Sequence, residues 1–190
     1  MGWPTEDLMY EAKHVLRYMV ASKDLHLSYT GGTNTPHAYS DSDWGVEPSI
    51  TGYVVVLNGS AVAWKSVKQK CIAMSSTEAE LLAANAAASE LVYVSHLVAD
   101  MTSNPQPPAT LHVDNEGAVK FASEPQTISR MKHIQRHFLK IREFIEAKSI
   151  KVQWEPTATN MADVFTKYLQ ASKFAKLVKG FMAQPNNKSH

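Results

Sequence analysis

Behind Pro4 and Thr5, the apolar residues Leu8, Ala12, Val15, Leu16 and Met19 recur at helical spacing, which predicts a helix over residues 5–20. Leu25–Tyr29 reads as a short strand, and "TGGTNTP" (30–36) as a turn-rich linker. The period then changes. His37–Asp43 alternates, Gly52–Leu57 ("GYVVVL") is the unbroken apolar run of a strand covered on both faces, and Ala61–Lys65 returns after the hairpin signal Asn58-Gly59. A long helix is expected from Ser76 to Met101. "SSTEAE" opens it with a hydroxyl cap and early carboxylates, and its alanines suit close approach to a sheet. "ATLHVD" (109–114) reads as a buried strand and 116–123 as a short helix. Residues 129–147 form a helix with Ile134, Phe138, Ile141 and Ile145 on one face. "IKVQW" (150–154) alternates again, and 160–169 and Ser172–Met182 are helical. Trp44 and Trp154 are assigned to the core.

From residue 36 the order is β-β-β-α-β-α-α-β-α. Three antiparallel strands and two more joined by helical crossovers give an α/β fold, a mixed five-stranded sheet flanked by helices. The expected organisation is a connection or tether segment over 1–35, a main domain over 36–170, and a C-terminal helix with a disordered tail over 171–190.

Composition narrows the class. A chain of 190 residues with 44% hydrophobic content suffices for one domain with an ordinary core. No apolar run approaches the roughly 18 residues of a membrane span. The start "MGWPTED" lacks the basic and apolar regions of a signal peptide, and Glu6 stands where myristoylation needs Ser or Thr. Cys71 is the single cysteine, which excludes an internal disulfide and a cysteine-based zinc site and fits a reducing, intracellular setting. Residues 130–190 carry 12 Lys and Arg against 4 Asp and Glu, whereas residues 1–129 carry 7 against 14. An acidic part and a basic part on one domain suit a polyanion that needs a metal at one place and lysines at another; such asymmetry is also common without one.

Four acids fall on elements that could converge. Asp41 lies on the first strand, the centre of a meander followed by crossovers. Asp114 ends "LHVD", and the carboxyl ends of strands line site crevices in α/β sheets. Glu80 is one turn into the long helix, and Asp163 lies near the start of the helix after the last strand. Phosphodiester hydrolysis needs an activated water and help for a leaving alkoxide, which two divalent ions can supply; hard oxygen ligands suit Mg²⁺. Carboxylates clustered without cations repel each other. Each acid also has a plainer role: Asp41 at a polar strand end facing water, Asp114 as the cap of the next helix, Glu78 and Glu80 on the helix dipole, Asp163 as a first-turn acid.

The stretches "YSDSDWG", "TGYVVVLNGSAVAWKSVKQKCIAMSSTEAE", "LHVDNEGAV", "MKHIQRHFLKIREFI" and "NMADVFTK" resemble the ribonuclease H domain of copia-type LTR retrotransposon Pol polyproteins, from about residue 36 to 170. Residues 5–30 resemble the segment that joins reverse transcriptase to that domain. The resemblance implies a ribonuclease H-like fold and an endoribonuclease that cuts the RNA strand of RNA/DNA hybrids with two Mg²⁺ ions, Mn²⁺ substituting. It implies Asp41, Glu80, Asp114 and Asp163 as catalytic, metal-binding acids, with Asp41 shared by both ions. Asp163 would serve the ion that activates water, and Glu80 and Asp114 the ion at the leaving 3′ oxygen. Asp43 shares the side of Asp41. Ser76, Thr77 and Asn115 match substrate-binding positions for the hybrid minor groove, where 2′-hydroxyls are read. The implied partners are the hybrid and the reverse transcriptase polymerase domain of the same polyprotein, with no membrane. The implied setting is intracellular: cytoplasmic virus-like particles, and the nucleus.

Some positions depart from the pattern. The loop "EPTATN" lacks the histidine that cellular relatives often carry before the last acid. Leu139 stands where a second family histidine often falls, so nothing transfers to His137. His133 and His137, one helical turn apart, suit an exposed helix face as well as a metal. Lys65, Lys68 and Lys70 around Trp64, and Lys173, Lys176 and Lys179 on the last helix, suit phosphate contacts or solvated faces. Two other functions stay open. One is a non-catalytic hybrid-binding or reverse-transcriptase-supporting module, against which the intact acids count. The other is a transposase or integrase, which the placement of "STEAE" before "HVDN" disfavours.

Overall fold

The computed structural model describes residues 5–45, 48–123 and 135–183. Five strands form one sheet: β1 (His37–Asp43), β2 (Ile50–Leu57), β3 (Ser60–Lys68), β4 (Ala109–Val113) and β5 (Ile150–Trp154), in the order β3-β2-β1-β4-β5. The first three pair antiparallel, while β4 runs parallel to β1 and β5 parallel to β4. The β2–β3 turn uses Asn58 (φ 50°) and Gly59 (φ 86°), the left-handed pair that a two-residue hairpin requires.

The helices are α1 (Glu6–Ser22), α2 (Ser76–Thr102), α3 (Glu116–Ser123), α4 (Gln135–Glu146), a 3-10 helix (Met161–Phe165) and α5 (Ala171–Val178). Ser75 starts α2 by accepting the Glu78 N–H at 3.2 Å, and the Glu78 carboxylate reaches back to the Met74 N–H at 2.7 Å. That exchange satisfies two N–H groups at the helix start. Strand alternation then divides the core. Ala38, Tyr53, Val55, Leu111, Val113 and Ile150 face α2 and Ile141 of α4. Tyr39, Val54, Val56 and Ala61 face the other way, toward Ala162, Val178 and Phe181.

Several expectations change. By length and composition α2 is apolar enough to cross a membrane, which the sequence reading did not register; 56% of that apolar window is buried in the fold, so its alanines serve packing. The apolar stripe of α1 is left uncovered by the described residues: no α1 residue is buried, and Leu8, Val15, Leu16 and Met19 are exposed. Its ring contact to α5 is Tyr18 edge-on to Phe174, centroids 5.8 Å apart. The strand expected at Leu25–Tyr29 reduces to an isolated bridge between His26 and Ala183. Side chains tie this segment to β3 instead, with Tyr29 donating to the Ala61 carbonyl at 2.8 Å.

Trp44 and Trp154 are not core residues, being 51% and 46% exposed. Trp44 lies where the chain leaves β1, and Trp154 ends the edge strand β5. The helix expected over 160–169 is only the 3-10 helix, with Asp163 and Thr166 N–H groups bonded three residues back. The expected helix start at 129–134 with His133 and Ile134, the side chains of His137 and Phe138, and the tail over 184–190 lie outside the described residues.

Candidate metal centre

Sheet order brings the acids together. Asp41 lies on the central strand β1, and Asp114 follows the end of its parallel neighbour β4. Glu80 comes from the second turn of α2, where its Oε1 accepts the Ser42 N–H at 3.2 Å. Ligand oxygens of Asp41, Glu80 and Asp114 lie within 4.8 Å of one another, the first two buried and the third half-buried. Asp114 is not the cap of α3. Asn115 Oδ1 accepts the Ala118 N–H at 2.9 Å and fills that role. Asp114 Oδ2 instead accepts from Thr157 Oγ1 at 3.1 Å, so the loop without histidine reaches the site through a threonine.

The electrostatics follow from burial. Burial pushes Glu80 up to about 9 from 4.5, and the Asp41 and Asp114 charges add to the rise. Burial raises Asp41 to about 6, against the pull of Lys167 and Thr166. Glu80 Oε2 is buried and has no hydrogen-bond partner among the described residues. A buried carboxylate oxygen without a donor is costly. Three hard oxygen ligands with one lone pair aimed at no donor fit a divalent cation such as Mg²⁺ or Mn²⁺.

Asp163 reaches the site by a different route. Asn160, fully buried, donates Nδ2 to the Ser40 carbonyl at 2.9 Å and accepts the Ala162 N–H at 3.1 Å, docking the 3-10 helix on β1. Gly52, opposite Asp41 in the β1–β2 ladder, leaves the room: a Cβ there would stand 2.5 Å from Thr166 Cγ2. Asp163 is fully buried yet outside the open triad. Lys167 Nζ bridges it to Asp41, at 2.8 Å from Asp163 Oδ1 and 2.7 Å from Asp41 Oδ1. Lys173 Nζ takes Asp163 Oδ2 at 2.5 Å, and the Thr166 hydroxyl donates to Asp41 Oδ2. Burial works against the Lys167 ammonium, but the Asp41 and Asp163 carboxylates outweigh it and hold its pKa above the ordinary value.

Sequence reasoning passed over Lys167, Asn160 and Gly52, although all three stand inside quoted stretches. The one local signal for Lys167 was its spacing of four residues from Asp163. Of the three lysines expected on one phosphate-binding or solvated face, Lys173 turns inward while Lys176 and Lys179 stay exposed. Ser76 is exposed, and Thr77 and Asn115 are half-buried. Thr77 and Asn115 both flank the space over Gly117, beside the triad in chain position.

No protein-family model matches the chain. The Retrovirus-related Pol polyprotein from transposon RE2 of Arabidopsis thaliana is 34% identical over 179 residues, which is 92% of this chain and 12% of that polyprotein. The corresponding polyprotein from transposon RE1 of the same plant is 32% identical, with the same coverage. The chain thus spans about 12% of the length of these curated relatives. Among solved structures, LC11-RNase H1 isolated from compost superposes with a TM-score of 0.53 at 15% identity, over 70% of this chain and 94% of that one. The N-terminal RNase H domain of rv2228c from Mycobacterium tuberculosis gives 0.52 at 14% identity, over 76% and 96%. The chain is therefore a homologue of one segment of the retrotransposon Pol polyproteins, and it has the ribonuclease H fold.

Proposed function

We propose that the chain is a ribonuclease H that hydrolyses the RNA strand of RNA/DNA hybrids during retrotransposon reverse transcription, with two Mg²⁺ ions held by Asp41, Glu80, Asp114 and Asp163 and Mn²⁺ able to substitute. The observation that carries this reading is the convergence of Asp41, Glu80 and Asp114 around the unpartnered Glu80 Oε2. Divalent ions at such a site stabilise charge on phosphate oxygens and make a bound water more acidic. The chain's own residues do the rest. The Ser42 N–H fixes the Glu80 carboxylate, and Thr157 fixes Asp114. Ser76, Thr77 and Asn115 offer small polar groups beside the acids, suited to minor-groove 2′-hydroxyls. Lys65, Lys68 and Lys70 are exposed near the exposed Trp64, where they can follow a phosphate backbone. The polyprotein relatives support a reverse transcriptase of the same polyprotein as partner, and the setting proposed with it is cytoplasmic virus-like particles and the nucleus.

The test is incubation of the chain with a labelled RNA/DNA hybrid, single-stranded RNA and duplex DNA, with Mg²⁺ or with chelator. Metal-dependent cutting of the hybrid alone is expected. Folded protein that leaves the hybrid whole at every metal concentration would refute the reading.

One observation favours a second reading. Lys167 and Lys173 together already balance the charges of Asp41 and Asp163, a condition that a non-catalytic hybrid-binding or reverse-transcriptase-supporting module would tolerate. Hybrid binding with a steep salt slope and no cleavage would establish it.

A further inference from the structure

The four acids divide into two unlike halves. On one side, Glu80 Oε2 has no partner among the described residues, and Asp114 accepts a hydroxyl from Thr157. On the other, both oxygens of Asp41 and both of Asp163 are engaged. Asp41 takes Lys167 and Thr166, and Asp163 takes Lys167 and Lys173. The Lys167 ammonium lies 2.7 and 2.8 Å from the two carboxylates that an ion on this side would have to share. It occupies the place of a cation.

We propose that Lys167 is an internal counter-ion that holds the Asp41–Asp163 side of the site and competes with a divalent ion for it. This rests on the nuclease reading above and adds an order to it. The first ion enters among Asp41, Glu80 and Asp114, and the second enters only as the Lys167 ammonium leaves. Two cations cannot share the same carboxylate oxygens at such distances without strong repulsion. Exit is feasible because the Lys167 side chain is 31% exposed and sits on a flexible four-carbon stem. Lys173, 34% exposed on α5, keeps Asp163 Oδ2 compensated from the outer side.

The experiment counts ions. Metal-free wild type, Lys167→Met and Lys167→Arg are titrated with Mn²⁺, with bound ion read by electron paramagnetic resonance and calorimetry. Wild type is expected to show one tighter and one weaker site. Lys167→Met should tighten the weaker site by at least about tenfold, and Lys167→Arg should not. A second measurement needs no variant: acetylation of Lys167 in the wild type, followed by mass spectrometry, should rise as the weaker site fills. Unchanged second-site affinity in folded Lys167→Met, or constant Lys167 reactivity while two ions bind, would overturn the proposal. Cleavage of a labelled hybrid by wild type in the same Mn²⁺ series separates the two ideas. Cutting with two ions bound and no effect at Lys167 removes only the counter-ion role. No ion bound and no cutting removes both.

Discussion

Gly52 lies directly across the β1–β2 ladder from Asp41, and its missing side chain is what lets Thr166 close on that carboxylate. A methyl group added at Gly52 would also meet Phe165 Cβ at 2.9 Å and the Ala162 carbonyl at 3.2 Å. The contacts are a backbone carbonyl and side-chain carbons close to the backbone, so the 3-10 helix itself must lift. Gly52→Ala is expected to cost about 1–3 kcal/mol of stability, the usual range for overpacking. It should reduce hybrid cutting more than that loss explains, because Asp163 and Lys167 move with the helix. Urea unfolding and cleavage rates, measured on the same preparation, check this.

Asp114 is separable from the fold. It does not cap α3, and its contact to Thr157 lies on the exposed side of the loop. Asp114→Asn should therefore keep the wild-type melting temperature in chelator. On the proposed reading, hybrid cleavage should fall at least about 100-fold, since the ions Asp114 would help hold would contribute several kcal/mol to such chemistry. Cutting at the wild-type rate by Asp114→Asn would remove this residue from the site.

Glu80 gives the metal-free protein a pH dependence of definite sign. Its folded pKa of about 9 lies above its ordinary 4.5, so the folded state binds the extra proton between those values. The Glu80 contribution to stability is full below about pH 4.5 and is lost as pH rises through about 9. Asp41, raised from 3.8 to about 6, acts in the same sense over its own window. In chelator, the melting temperature should decline from pH 6 to pH 9. Glu80→Gln should flatten that decline, and Mg²⁺ should oppose it in the wild type. A flat wild-type profile without metal would show that burial does not hold Glu80 neutral.

Asn160 is a positioning residue. Its removal leaves the Ser40 carbonyl and the Ala162 N–H without their side-chain partner in a buried place. Asn160→Ala should cost about 1–3 kcal/mol, the range for an unsatisfied buried polar group. It should also weaken Mn²⁺ binding at the Asp41–Asp163 side while leaving the Asp41, Glu80 and Asp114 side close to wild type. Calorimetric titration of both sites decides it; equal weakening would mean a general structural role.

Much of the fold could be read from local pattern. The unbroken "GYVVVL" run is β2, Asn58-Gly59 is the hairpin, and the alanine-rich run is α2. These signals work because backbone conformation and one-sided burial are set by near neighbours. The pattern failed where burial depended on distant partners. Helical spacing in α1 correctly gave a helix but implied a covered face, and the described residues leave that face exposed. Trp44 and Trp154, assigned to the core from the sequence, stand at the ends of β1 and β5, which leaves them half in solvent.

The sequence by itself determined most of the elements and the strand pattern of the sheet, and it set Asp41 within the first strand, Glu80 in the second turn of the long helix and Asp114 just after β4. Only the tertiary structure decided that Lys167 bridges Asp163 to Asp41, that Gly52 is the gap over which the 3-10 helix docks, and that Asn160 pins that helix to β1. Lys167 is 126 residues from Asp41, and Asn160 is 120 from Ser40. A charge or a buried amide takes its partner from whatever the sheet order places across from it, and that order is a property of the whole chain rather than of any neighbourhood within it.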